Sequence, residues 1–157
     1  MTTSAVSLDS KYRTERGRIF LAGIQALVRV PIDQHRADRR RGLDTATIIS
    51  GYPGSPLGGF ELNLVRNAAL LSEHNVHFVP GLNEELGATV VWGGQLSRAF
   101  PRPKHDGVLG MWYGKTPGLD RTGDLFRHAN LAGVGPLGGR PRAPTSRSRS
   151  STTAPSR

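Results

Sequence analysis

The sequence predicts an α/β fold: a partial, open parallel sheet followed by a disordered C-terminal tail. Three observations predict it. Short runs rich in β-branched and apolar residues alternate with helical stretches of roughly 10–15 residues, the signature of βαβ units. Each of the three candidate strands runs straight into a segment of Gly and Pro, so the conspicuous loops share the carboxyl edge of the sheet. After Gly139 the chain reads RPRAPTSRSRSSTTAPSR, a string of Arg, Pro, Ser, Thr and Ala that cannot bury apolar surface.

The elements follow in order. Residues 1–17 are a polar, loose lead-in, and 18–22 (RIFLA) suit a short strand or the start of a helix. Residues 23–30 place Ile24, Leu27 and Val28 at helical spacing. Pro31 restarts the chain at the first position of a strongly polar helix, 32–41, which Gly42 closes. Residues 45–50 (TATIIS) read as a buried strand and lead into the loop GYPGSPLGG, 51–59. Helical spacing resumes over 60–72, and 76–79 (VHFV) form a second strand, ended by Pro80-Gly81. Asn83 is a good N-cap for a helix to about residue 100, with Glu84 and Glu85 in its first turn. One face of that helix is small (Gly87, Val90, Val91, Gly94), open to another backbone or a flat ligand. Residues 106–113 form a third strand, 114–124 a Gly-rich loop and 125–131 a short helix.

A net charge of +9 points first at nucleic acid, but the distribution argues otherwise. The last 18 residues carry five arginines and no acid, which leaves +4 for residues 1–139. A second cluster, Arg36, Arg39, Arg40 and Arg41, has no interleaved aromatics and reads as a solvated helix face. Nucleic-acid binding is the lesser reading. The chain has no cysteine, so thiolate-held zinc or iron–sulfur clusters are excluded within it. No apolar run approaches the roughly 20 residues of a membrane helix, and the N-terminus lacks a signal-peptide core, so the expected compartment is the cytoplasm.

Several motifs fail. Gly110 to Thr116 resembles a phosphate-binding loop, but the first glycine should stand at 109, which is Leu109, and Pro117-Gly118 falls where a helix must begin. Gly133, Gly135 and Gly138 match a dinucleotide fingerprint literally, with no strand before and no helix after. His74 and His77 have no carboxylate arranged beside them and read as ordinary turn histidines. Two features remain. Ser55 sits in the tight turn Pro53-Gly54-Ser55-Pro56 after a buried strand; its plainer role is capping the helix that follows. Asn83-Glu84-Glu85 opens a helix; its plainer role is complementing the helix dipole. On spacing alone the plainer roles lead.

Residues 17–138 resemble the beginning of the indolepyruvate:ferredoxin oxidoreductases, a branch of the 2-oxoacid:ferredoxin oxidoreductases. The segments that carry the resemblance are GRIFLAGIQALVRVP, SGYPGSPLGG, PGLNEELGATVVWGGQ and DGVLGMWYGKTPGLDRTGDLFRHANLAG, in order and correctly spaced. The resemblance implies a thiamine pyrophosphate pyrimidine-binding domain over 18–138, incomplete at its end, between the lead-in 1–17 and the tail 139–157. It implies oxidative decarboxylation of an aryl pyruvate, with coenzyme A taking the acyl group and ferredoxin the electrons, in a homo-oligomer. Magnesium and the iron–sulfur clusters would belong to parts of the family's enzyme that this chain lacks, so the chain alone is too short to act.

The resemblance also implies roles. The cofactor must shed its thiazolium C2 proton, and a carboxylate on the aminopyrimidine ring nitrogen promotes this intramolecularly. Glu84, by its spacing to Gly87 and Gly93, matches that carboxylate, with Glu85 second and Gly54 nearby in the cofactor site. Ser55 and Pro56 match a turn that holds the 2-oxo acid. From charge and position alone, and not from the resemblance, Lys115, Arg121 and His128 in the third loop region are placed to meet an anionic substrate or a facing subunit. The departure from the family is the tail, which looks like a GC-rich gene read out of frame; the expectation is a frameshift near codon 139 or 140. A pyrimidine domain cut short there would have open edges, poor stability and, on the alternative reading, only a vestigial role.

Overall fold

The computed structural model describes residues 7–54 and 57–134. The expected tail, and most of the Gly133–Gly138 motif, lie outside them. Within them the fold is α/β, on a small open sheet of three parallel strands. The order is α1 (Ser10–Arg13), α2 (Gly23–Arg40), β1 (Thr45–Gly51), α3 (Gly58–Arg66), α4 (Ala68–Glu73), β2 (Val76–Phe78), α5 (Glu84–Gln95), a 3-10 turn (Leu96–Ala99), β3 (Gly107–Tyr113), α6 (Thr116–Arg121) and α7 (Gly123–Ala132).

β1 is the central strand, flanked by β2 and β3. Its register sets Ile49 beside Phe78 of β2 and Met111 of β3. Burial on both faces explains why β1 reads as a continuous run rather than an alternating one. Alternate side chains serve opposite layers. Thr45, Thr47 and Ile49 face α2, α3 and α4, while Ile48 meets Gly94 of α5. The core lies on the first of these faces, where Val28, Ile32, Phe60 and Leu64 pack around Ile49 and Tyr113. Phe60 meets Tyr113 edge to face at 5.3 Å, worth about 1 kcal/mol beyond its buried area.

Four expectations change. Residues 18–22 form neither strand nor helix. Pro31 does not restart the chain: α2 runs through it as one helix, because Val28, Pro31, Ile32 and His35 line a single buried stripe. The lead-in is not loose where the structure describes it. Tyr12 is buried in the core, and Arg29 and Arg36 donate to the carbonyls of Lys11, Tyr12, Arg13 and Thr14. Arg36 therefore does not belong to a solvated face; it is 6% exposed, whereas Arg39, Arg40 and Arg41 are exposed. Finally, the Gly-rich segment 114–124 contains a helix, α6, with Pro in its first turn, where the missing N–H costs nothing. Pro117 is thus compatible with a helix start, but the phosphate-loop motif still fails, since Gly110 lies inside β3.

Candidate functional site

Because the strands are parallel, their carboxyl ends share one edge. There the Gly81 N–H donates to the Gly51 carbonyl at 3.0 Å, tying the loop after β2 to the end of β1. α5 starts at once: the Asn83 side chain accepts the Leu86 N–H at 2.8 Å, the N-cap its sequence foretold. One turn on, Gly87 lies against β1 so closely that a Cβ there would stand 2.9 Å from the Gly51 Cα. Gly94 meets Ile48 and Val108, and Val91 covers Gly110 in the same way. The small face of α5 is filled by the protein's own sheet; it is not a slot for a flat ligand.

Glu84 is the first residue of α5 and half-buried. Its carbonyl accepts the Trp112 indole N–H at 3.1 Å. Its side chain lies on Gly118 of α6, where a Cβ would stand 2.8 Å from Oε1 and 2.9 Å from Cδ. Among the described residues no hydrogen bond or ion pair engages the Glu84 carboxylate. Toward those residues both oxygens keep their acceptor capacity. Glu85 is exposed, and its carbonyl accepts the Thr89 hydroxyl.

Gly54 is half-buried between β1 and α3, with the Lys115 stem 3.5 Å from where its Cβ would be. The loops after β1 and β3 therefore touch. Ser55 and Pro56 lie outside the described residues. Arg121 is exposed at the end of α6, and His128 is exposed and paired with Asp124 along α7. Of the other histidines singled out, His74 accepts from the Arg39 guanidinium through Nδ1 at 2.5 Å, and burial, then Arg39, holds its pKa below the ordinary value. Among the described residues no group of three His, Cys, Asp or Glu side chains could hold a metal ion, and no helix is long and apolar enough to cross a membrane.

A second polar cluster, which the sequence did not disclose, lies under α2. The buried His35 ring meets Thr45 Oγ1 through Nδ1 and Thr47 Oγ1 through Nε2, each at 2.7 Å. Thr45 gives its single hydroxyl proton to Asp38 at 2.7 Å. It must therefore accept from His35 Nδ1–H, which leaves Nε2 to accept from Thr47. The ring is neutral, and burial, opposed by Asp38, lowers its pKa to about 4. The available signal was the pair Thr45 and Thr47, two hydroxyls spaced to share one face of a buried strand, which need partners.

Compared with models of protein families, with curated proteins and with solved structures, the chain matches none.

Proposed function

We propose that this chain supplies the pyrimidine-binding half of a thiamine pyrophosphate site, in an oxidoreductase of the indolepyruvate:ferredoxin type. The observation that carries the reading is the Glu84 carboxylate. It is half-buried at the carboxyl edge of a parallel sheet, at the first turn of a twelve-residue helix, with no partner among the described residues. A carboxylate so placed fits the ring nitrogen of an aminopyrimidine, and Glu85, facing solvent, fits it less well. Bound there, thiamine pyrophosphate would supply the carbanion chemistry by which a 2-oxo acid loses carbon dioxide.

The chain's own contribution is binding and orientation. Glu84 accepts the proton-bearing ring nitrogen, and its carbonyl, tied to Trp112, fixes where the helix begins. Gly54, in the turn before Ser55 and Pro56, has the Lys115 stem alongside, which brings a cation to the place where an anionic aryl pyruvate would enter. Coenzyme A, ferredoxin, magnesium and the clusters belong to this proposal only as parts of the larger enzyme.

Calorimetric titration of the chain with thiamine pyrophosphate, alone and mixed with a pyrophosphate domain from an indolepyruvate oxidoreductase, tests the proposal. Binding should require Glu84 and strengthen with the added domain. A chain that takes up no cofactor in either mixture, or a Glu84→Gln chain that binds as well as the wild type, rejects it.

A further inference from the structure

We propose that Trp112 and Gly118 are positioning residues that set the Glu84 carboxylate for a planar, amine-bearing ring before that ring arrives. The inference rests on the reading of Glu84 given above and adds how the carboxylate is held. Trp112 stands one residue before the end of β3, and its indole N–H donates to the Glu84 carbonyl, pinning the first turn of α5 to the sheet edge. The indole is itself fixed. Phe126 of α7 meets it edge to face at 5.2 Å, and Gly114 lies so close on another side that a Cβ would stand 2.6 Å from the ring.

Gly118 acts on the side chain. It is buried, and a methyl group there would overlap Glu84 Cγ, Cδ and Oε1. α6 thus packs on the Glu84 stem at a separation that a methyl group at 118 would close, forcing the side chain to move. The contact is steric: it crowds the Glu84 stem, and among the described residues no hydrogen bond engages the carboxylate. A side chain confined in advance loses less freedom on binding than one ordered by its ligand.

The test is calorimetry of the 157-residue chain with the hydroxymethyl aminopyrimidine that forms half of thiamine, run in two buffers of different ionisation enthalpy. This reads affinity and proton uptake together. A carboxylate aligned on the ring nitrogen shares a proton with it, so the wild type should take up as much as about one proton per ring bound near neutral pH. Gly118→Ala should weaken binding roughly tenfold and lower the uptake with it. Trp112→Phe keeps an aromatic ring beside Phe126 but loses the donor, and should move both readouts in the same direction by less. A merely structural role would lower the melting temperature and leave affinity and uptake of the folded chain unchanged. That result in Gly118→Ala, or in Trp112→Phe should the alanine variant not fold, overturns the proposal. A wild-type chain that ignores the pyrimidine instead removes the reading of Glu84 itself.

Discussion

Under α2, Asp38 is 3% exposed and sealed: Thr45 donates to one of its oxygens at 2.7 Å and Gln34 to the other at 3.0 Å. At the carboxyl edge, Glu84 is half-buried, and none of its neighbours among the described residues donates to its carboxylate. Asp38 is bonded to Thr45 of β1, whereas Glu84 lies against Trp112 of β3 and Gly118 of α6. The difference separates two uses of a polar group. A buried carboxylate that takes a donor on each oxygen joins a helix to a strand and stays out of chemistry. A half-buried one confined only by packing keeps its acceptors for something else.

Substitutions should separate the two regions. The largest effect belongs to the sealed one. His35→Ala removes a buried ring, strands the Thr47 hydroxyl and leaves Thr45 with Asp38 alone, and should cost about 3 kcal/mol or more, read as a fall in the urea midpoint at constant slope. Acid should reproduce most of that loss. His35 titrates near 4 in the folded chain and near 6.5 unfolded, so between those values the unfolded state binds more protons. Stability from this ring is complete above pH 6.5 and declines as pH falls toward 4, by about 3 kcal/mol in all. The decline should be absent in His35→Ala, and its persistence there would place it in another group. Gly87→Ala forces a methyl against the Gly51 backbone and should cost about 2 kcal/mol in the same assay. The smallest change should come from Glu84→Gln, below about 1 kcal/mol, since only a helix-dipole interaction is lost. A Glu84→Gln chain as unstable as His35→Ala would erase the distinction between the regions.

How much of this was legible in the sequence follows from the range of each interaction. β1, β2 and β3 were legible because their signals are local: β-branched runs punctuated by Gly and Pro. The start of α5 was legible because Asn83, Glu84 and Glu85 act on their own helix. The continuity of α2 through Pro31 was not, since the buried stripe that carries the helix past the proline exists only once Ile49 and Phe60 pack on it. Nor was α6, whose one glycine, Gly118, looks like a loop former until it is seen to pack on Glu84. The clamp itself joins residues 28 positions apart, Glu84 and Trp112, and nothing in their separate surroundings pairs them. Arg36 looks like surface charge because, beside its helix neighbour Asp33, its acceptors are the carbonyls of Tyr12 and Arg13, which leave no mark on a sequence. The turn at Ser55 and Pro56, central to the resemblance, falls outside the described residues.

The most direct measurement is the carboxyl carbon resonance of Glu84 during titration with an aminopyrimidine, with Glu73, an exposed acid paired to Arg13, as the internal control. The account predicts a saturable shift at Glu84 and none at Glu73. A titration in which Glu84 stays still, or in which both acids drift together without saturating, contradicts it.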